Sequence, residues 1–304
     1  MRISVQNARV TDRLGIDEGF KLLHDTGFQG TDFGLTAWLR GKDIIENLPA
    51  VKDQPLEKLY EILRPYKEAA DKHGIFVSQT HASFPTWCAG KGDEVNDRVL
   101  EALKKDIAMT AYMGSPYVII HPFFNMVNRE RPSAEEEWEL NRDRYSALIP
   151  TLKEYNVVCC LENMFVGGPE GMRYAAVCSD FREAAEWIDK LNDIAGEERF
   201  GFCMDTGHCH LTGQNMRRAL NFIGHRLKTL HIHDNDGHTD WHMGAFMGTT
   251  DWELFIEGLR DINYEGDLSF ETFKVLDNFP PEMMEICLRM IAESGKYFKQ
   301  RLGK

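Results

Sequence analysis

The strongest constraint on the fold is the regular alternation of short β-rich segments with amphipathic stretches along the whole chain. Hydrophobic periodicity predicts eight strands, each followed by a helix. The predicted strands are Ile3–Val5, Gly30–Phe33, Ile75–Thr80, Tyr117–His121, Val157–Glu162, Phe200–Met204, Leu227–His233 and Leu268–Glu271. The predicted helices are Ile16–Thr26, Leu56–His73, Glu94–Met113, Ser133–Tyr155, Asp180–Asn192, Asn215–Ile223, Asp251–Asp261 and Pro281–Lys299.

Strict alternation of strands and helices predicts a parallel sheet, and eight strands are the number that closes a (β/α)8 TIM barrel. An open doubly wound sheet is the alternative, but no G-x-G-x-x-G follows an early strand, so a dinucleotide-binding fold has no support. No Pro/Ser-rich linker or change of composition divides the chain. We therefore predict a single α/β TIM-barrel domain over residues 1–304.

Local signals mark the ends of several of these helices. Ser133 stands three residues before Glu136, which predicts a capping box at the start of the fourth helix. Gly27, Gly74 and Gly114 directly follow helical stretches, where a left-handed residue commonly ends a helix.

The charge and the cysteines limit the class of protein. The chain carries 35 Lys and Arg residues against 48 Asp and Glu residues, a formal net charge of −13. That charge repels phosphate backbones and argues against general nucleic-acid affinity, although it does not exclude a local metal-lined groove.

The apolar runs are too short to span a bilayer, and the N-terminus MRISVQNARV lacks a signal-peptide core. Seven irregularly spaced cysteines predict reduced, buried thiols in a cytoplasmic protein.

Side chains able to bind metals end or follow six consecutive predicted strands. They are His81, His121, Glu162, Asp205, the pair His231 and His233, and Glu271. In a barrel these positions converge on the C-terminal mouth, where active sites are built. A single such residue is most often a structural hydrogen-bonding group or a helix cap, but caps would favour Ser, Thr and Asn. Six in succession therefore predict a metal site.

The spacing of these residues adds detail. His231 and His233 are two apart on a predicted strand, so both should point to the same face. Asp205 and His208 flank a strand-to-loop turn and can face one ligand. Such a mixed oxygen and nitrogen set suits Mn²⁺, Mg²⁺, Co²⁺ or Zn²⁺ and gives no reason to expect a thiolate site. We expect Cys203 to be a core thiol.

Two glutamates are candidates for acid–base chemistry. Glu162 and Glu271 could act on opposite faces of a substrate, since glutamate reaches further than aspartate. The simpler alternative is that both are only metal ligands. Six aromatic residues near the mouth loops could provide a wall for a sugar face, although about half are expected to belong to the core. These are Trp38, Phe84, Trp87, Phe123, Phe124 and Phe165.

A series of motifs runs almost from end to end: LLHDTGFQGTDF, HGIFVSQTHASFP, MGSPYVIIHP, VVCCLEN, GFCMDTGH, LHIHDNDG, GTTDW and LSFETF. In this order they resemble the sugar phosphate isomerase/epimerase family of xylose isomerase-like barrels, which also contains the endonuclease IV branch. The resemblance implies a divalent metal held by Glu162, Asp205, His231 and Glu271. In the ketose 3-epimerase relatives the two glutamates also transfer the proton, and the histidine of D-x-x-H, here His208, contacts the substrate.

The endonuclease IV branch implies a second expectation. It holds three zinc ions with nine ligands, and this chain has a fitting residue at every motif: His81, His121, Glu162, Asp205, His208, His231, Asp240, His242 and Glu271. The negative net charge and the lack of a strip of basic residues on the mouth loops argue against binding of a DNA backbone. Ketose 3-epimerases have an arginine shortly after H-x-H that binds the substrate. This chain has the H-x-H motif but not that arginine. We therefore expect His233, His238 or His242 to make the substrate contact.

These observations predict a divalent-metal-dependent isomerase or epimerase that acts on a sugar, sugar phosphate or related polyol by proton transfer next to a carbonyl. One divalent ion is expected, or two or three Zn²⁺ if every His and Asp ligand is used. The alternative is an endonuclease IV-like abasic-site endonuclease or another multi-zinc hydrolase. A third hypothesis is a barrel that binds a sugar but has no catalytic activity. The expected partner is a small carbohydrate, with no membrane and no nucleic acid in the leading hypothesis, and a homo-oligomer is a family-level expectation.

Overall fold

The computed structural model describes residues 1–46, 48–124 and 132–304. Its strands are β1 (Ile3–Gln6), β2 (Gly30–Gly34), β3 (Phe76–His81), β4 (Tyr117–Ile119), β5 (Val158–Glu162), β6 (Phe165–Gly167), β7 (Arg173–Ala175), β8 (Phe200–Asp205), β9 (Leu227–His231) and β10 (Leu268–Phe270). Strands β6 and β7 form a separate antiparallel hairpin. The other eight form one sheet in the order β10-β1-β2-β3-β4-β5-β8-β9, and every pair in it is parallel.

Backbone hydrogen bonds join the two ends of this sheet. The amide of Ile232 donates to the carbonyl oxygen of Ser269 at 2.8 Å, and the amide of Glu271 donates to the carbonyl oxygen of Ile232 at 3.0 Å. These bonds connect the end of β9 to β10 and complete the ring. The predicted TIM barrel is confirmed, with all eight predicted strands in place.

Thirteen α-helices lie in the described part of the chain, and the long ones cover the outside of the barrel. They are α1 (Ala8–Leu14), α2 (Ile16–Thr26), α3 (Gly41–Ile45), α4 (Leu56–His73), α5 (Asp93–Tyr112), α6 (Ala134–Ser146), α7 (Ile149–Tyr155), α8 (Phe181–Ala195), α9 (Thr206–Leu211), α10 (Met216–Ile223), α11 (Trp252–Asp261), α12 (Phe273–Asn278) and α13 (Met284–Leu302). The capping box of Ser133 and Glu136 is present, and the three predicted helix-ending glycines all have positive φ.

Several sequence predictions about element bounds are wrong. The single helix Ser133–Tyr155 is two helices, because Pro150 lacks an amide hydrogen and fits only in the first turn of α7. Strand β4 stops at Ile119, so His121 lies beyond it. Strand β9 stops at His231; Ile232 still makes a single bridge to Phe270, after which the chain leaves the sheet and Asp234 pairs with Met243.

The apolar residues form two separate layers. A large cluster fills the space between the sheet and the helices. A small one, made of Ile119, Cys160 and Cys203, is distinct from it and lies inside the barrel. Side chains two apart on a strand point to the same side. Glu162, two residues after Cys160, and Asp205, two residues after Cys203, therefore point inward as well, one layer closer to the mouth.

The structure also bears on the thiol and membrane predictions. All seven cysteines are buried and free, as expected for reduced thiols. No helix in the described residues is long and apolar enough to cross a membrane.

A buried ion pair fixes the loops on one side of the mouth. The side chains of Lys52 and Asp106 have no exposed surface. Lys52 Nζ donates to the Asp106 carboxylate, to Ser83 Oγ at 2.7 Å and to the carbonyl oxygen of Leu35 at 3.1 Å. The other Asp106 oxygen accepts from the amide of Ser83 at 2.9 Å. The pair therefore ties the segment after β2 to the segment that follows His81.

We predict that Lys52→Met lowers the free energy of unfolding by about 3–5 kcal/mol, because it leaves the Asp106 charge buried and unpaired. Urea denaturation followed by circular dichroism measures this loss. Lys58→Met is the matched control, since Lys58 pairs with Glu61 on the surface and its loss should change little. Equal stability losses in the two variants would contradict the role assigned to the buried pair.

Candidate metal centre

Glu162 lies at the centre of the imidazoles and carboxylates that the strand ends bring together. Its side chain is 1% exposed. One carboxylate oxygen lies 3.1 Å from His121 Nε2. The other lies 3.2 Å from His231 Nδ1 and 3.7 Å from His208 Nδ1. Three histidines from three different strand ends therefore surround a single buried carboxylate.

His231 presents one ring nitrogen to two glutamates. Its Nε2 donates to Asp32 Oδ2 at 3.0 Å, so in the neutral ring Nδ1 carries the lone pair. That Nδ1 lies 3.2 Å from Glu162 and 3.6 Å from Glu271 Oε2. Asp32 thus selects the tautomer that a metal ligand needs.

His81 and His121 form a second group with Glu162. His81 Nδ1 donates to the carbonyl oxygen of Ala82 at 3.0 Å, which leaves the lone pair on Nε2. That Nε2 lies 3.0 Å from His121 Nε2. The ligand atoms of His81, His121 and Glu162 all lie within 4.8 Å of one another, close enough to share one ion.

A third group lies on the other side of the mouth and contains His208, His233, Asp240 and His242. His208 Nδ1 donates to the carbonyl oxygen of Asn163 at 2.8 Å, so its Nε2 faces Asp240 at 3.7 Å. His242 Nε2 lies 3.0 Å from Asp240, and the His233 ring stacks on the His242 ring at 4.0 Å. This group also offers the donor set of a metal site.

Asp205 connects the groups. Its carboxylate caps α9 by accepting from the amide of His208 at 2.7 Å, and it lies 2.9 Å from His233 Nε2. The expected turn between Asp205 and His208 is therefore helical. His233 contacts Asp205 and Asp240 whereas His231 contacts Glu162 and Glu271, so the two histidines do not share one ligand position. Both side chains nevertheless point into the mouth of the barrel, where His231 contacts Glu162 and His233 contacts Asp205.

Burial and charge oppose each other throughout this centre. Burial favours the neutral form of Glu162, but the positive charges of His231 and His121 hold the pKa of this carboxyl well below its usual range. Burial also disfavours a charged His208, yet the Asp205 charge and the bond to Asp240 raise the pKa of this imidazole to about 9. Protons on imidazoles thus balance the buried carboxylates, and a divalent ion would replace those protons.

Several buried polar atoms make no hydrogen bond in the described residues, and they include Glu162 Oε2, His231 Nδ1 and Asp240 Oδ1. Buried polar atoms without partners are costly, and they are common where an ion belongs. The available donors are oxygen and nitrogen, which suits a divalent cation. Cys203 also lies within reach of Glu162 and His231, and burial raises the pKa of its thiol to about 12.

A small cavity of about 170 Å³ opens beside the centre. It contains Glu271 and His81 from the metal groups, together with residues of β1 and β2. Within the described part of the chain, its lining residues are Gln6, Ala8, Asp32, Gly34, Thr36, His81 and Glu271. No lysine or arginine is among them.

The predicted aromatic wall is present in part. The Phe84 ring lies 5.0 Å from His121, and the Phe165 ring lies 5.0 Å from His208. Phe123 is buried against Tyr145 and belongs to the core. Phe273 was missed by the sequence analysis, and its ring stacks on His242 at 4.3 Å.

All ten predicted site residues therefore lie in one connected region at the mouth. The sequence analysis missed Gln6, the last residue of β1, and Asp32, which lies in the middle of β2. The rule that polar residues at strand ends converge on the mouth identifies Gln6 but not Asp32.

Curated relatives share part of this sequence. An uncharacterized protein of Sinorhizobium fredii is 29% identical over 57% of this chain and 52% of its own length. The probable endonuclease 4 of Mycoplasmoides gallisepticum is 27% identical over 51% of this chain and 49% of its own. The inosose isomerase of Bacillus subtilis is 21% identical over 60% and 63%. The chain thus spans about half the length of the first two relatives.

Solved structures share the fold over nearly the whole chain. A D-tagatose 3-epimerase-like protein superposes with a TM-score of 0.66 and 17% identity, covering 97% of this chain and 99% of its own. The 3-keto-D-glucoside 4-epimerase YcjR of E. coli gives 0.67 and 18%, covering 91% and 93%. An IolI protein with a bound zinc atom gives 0.64 and 19%, covering 99% and 98%. A family profile described as a xylose isomerase-like TIM barrel matches residues 20–292, and the chain therefore belongs to that family.

Proposed function

We propose that the protein is a divalent-metal-dependent isomerase or epimerase that acts on a small carbohydrate by proton transfer next to a carbonyl group. The observation that carries this proposal is the position of Glu271. Its carboxylate lies 3.6 Å from His231 in the metal centre, and the residue also lines the small cavity. A group that borders both the ion and the substrate space can move a proton at the reacting carbon.

The ion would be held by Glu162, Asp205, His231 and Glu271. Asp205 would exchange its contact with His233 for the ion, and His231 would keep its bond to Asp32. When bound, the ion stabilises the negative charge that develops on the carbonyl oxygen as the proton leaves. The zinc atom in the IolI structure supports a metal in a barrel of this kind.

The two glutamates differ in how far their side chains are exposed to the cavity, and this difference suggests a different role for each. The Glu271 side chain is 18% exposed and reaches the cavity, whereas that of Glu162 is 1% exposed. Glu271 would therefore remove the proton on the cavity side. Glu162, which is buried and does not line the cavity, would hold the ion. His208, fixed through Nδ1 by Asn163, would orient a substrate oxygen.

The cavity lining favours a neutral sugar or polyol over a sugar phosphate. A phosphate group needs cationic or backbone N–H partners, and the lining offers the carboxylates Asp32 and Glu271 instead. The epimerase and isomerase names among the relatives agree with a carbohydrate substrate.

A multi-zinc hydrolase, such as an abasic-site endonuclease, is the second candidate. Two observations favour it: the His81–His121 pair around Glu162, and the separate group of His208, His233, Asp240 and His242. Two or three ions placed this way could generate a hydroxide nucleophile. The named endonuclease relatives point the same way, while the net charge of −13 opposes DNA binding.

The single domain over residues 1–304, the cytoplasmic location and a homo-oligomeric assembly stay predictions.

Glu271→Gln tests the proton-transfer role. We expect the native protein to interconvert at least one member of a panel containing D-fructose, D-tagatose, D-psicose and 2-keto-myo-inositol, followed by NMR in D2O. The variant should turn over about 100-fold more slowly or worse, because the amide cannot accept the proton. Glu282→Gln, at an exposed position, is the matched control. Near-native turnover by Glu271→Gln would rule out its assigned role.

Metal stoichiometry separates the two candidate functions. In protein purified without chelator or nickel, plasma mass spectrometry should find a single divalent ion per chain. His121→Ala should then keep that ion and Glu162→Gln should lose it. Two or three zinc ions per chain, with a loss in His121→Ala, would instead favour the hydrolase, and nicking of abasic DNA would follow as its assay.

A further inference from the structure

A hydrogen-bond donor and an acceptor without partners stand together in the cavity beside the metal centre. Gln6 on β1 and Asp32 on β2 are paired in register, and both line the 170 Å³ cavity. Gln6 Nε2 and Asp32 Oδ1 are buried, and neither has a hydrogen-bond partner within residues 1–46, 48–124 and 132–304. Buried polar atoms of this kind need a partner.

The strands fix the direction of both side chains. The Oγ atoms of Ser4 and Ser78 meet at 2.7 Å across β1 and β3, so Ser4 points into the barrel. Gln6 lies two residues further on and points the same way. A Cβ added at Gly30 would lie 2.3 Å from both of those Oγ atoms, so Gly30 also faces inward, as does Asp32 two residues later.

Neighbouring groups fix which atoms are left over. Gln6 Oε1 accepts from the amide of Thr272 at 3.0 Å, so the free atom of its amide is the donor Nε2. Asp32 Oδ2 accepts from Gln79 Nε2 at 2.8 Å and from His231 Nε2 at 3.0 Å. The free atom of Asp32, which is 3% exposed, is therefore the acceptor Oδ1.

We propose that Gln6 and Asp32 form a hydroxyl subsite for the carbohydrate. One substrate hydroxyl accepts from Gln6 Nε2 and donates to Asp32 Oδ1. A hydroxyl is the substituent that can do both. A carboxylate or phosphate would face the negative charges of Asp32 and Glu271, and a methylene would leave both buried atoms unsatisfied.

This subsite would also set the position of the substrate in the mouth. Asp32 holds the metal-ligand histidine His231 through one oxygen and the substrate hydroxyl through the other. The hydroxyl is thereby fixed relative to the metal centre and to Glu271, which lines the same cavity. The proposal rests on the proposed function for the identity of the substrate as a carbohydrate.

Gln6→Glu is the variant that tests the subsite. It keeps an Oε1 acceptor for the amide of Thr272 and replaces the Nε2 donor with a second acceptor. Gln29→Glu is the matched control, because Gln29 Oε1 also accepts from a backbone amide, that of Ile3. Gln29 is exposed and precedes β2, at the opposite end of the barrel from the mouth.

For the sugar that the native protein turns over, Gln6→Glu should lower kcat/KM by about tenfold or more, and Gln29→Glu should not. Monodeoxy forms of that sugar make the test specific. Removal of the hydroxyl at the subsite should cost the native protein about tenfold and cost Gln6→Glu little, because the partner is already lost. If every deoxy position lowers kcat/KM equally in both proteins, Gln6 is only structural and the proposal is wrong.

Binding of inert polyols separates this proposal from the proposed function. Calorimetry with ribitol, xylitol and myo-inositol on the Mn²⁺-loaded protein should give weaker binding in Gln6→Glu than in Gln29→Glu. If polyols bind in this way but no sugar is turned over, the subsite stands and the isomerase proposal fails. If sugars are turned over and Gln6→Glu behaves like the native protein, the subsite alone is overturned. No binding and no turnover overturn both.

Discussion

The buried charge of Glu162 is the constraint on which the rest of the site depends. A carboxylate at this depth is stable in its ionised form only if positive charge surrounds it. His121, His208 and His231 surround it from three different strand ends. Because the neutral imidazoles cannot supply that charge, either protons on the imidazoles or a metal ion must supply it.

The second level of organisation is the set of groups that orient these ligands. Asp32 fixes His231, Asn163 fixes His208, and the carbonyl oxygen of Ala82 fixes His81. Each leaves one imidazole lone pair directed toward a carboxylate. Rigid strand ends position these partners, which keeps the ligand geometry independent of the longer loops.

The function follows from what lies beside the metal centre more than from the centre itself. The same donor set serves a single-ion isomerase or a multi-zinc hydrolase. The adjoining cavity is small, and the described residues that line it include Gln6, Thr36 and two carboxylates but no lysine or arginine, which suits a neutral polyhydroxy compound. Glu271 and Asp32 join that cavity to the residues proposed to hold the ion, so in the proposed function substrate recognition and metal binding share side chains.

The sequence by itself determined the eight-fold alternation and the convergence of metal-binding residues, since strand period and strand-end chemistry are local properties. It also identified Glu162 and Glu271 as candidates for metal binding and proton transfer. Only the tertiary structure decided that His231 and His233 serve different groups, because β9 ends between them and the loop carrying Asp240 folds back. The partnership of Gln6 with Asp32 was also beyond the sequence. It depends on the register of two strands that lie more than twenty residues apart in the chain and meet only in the closed barrel.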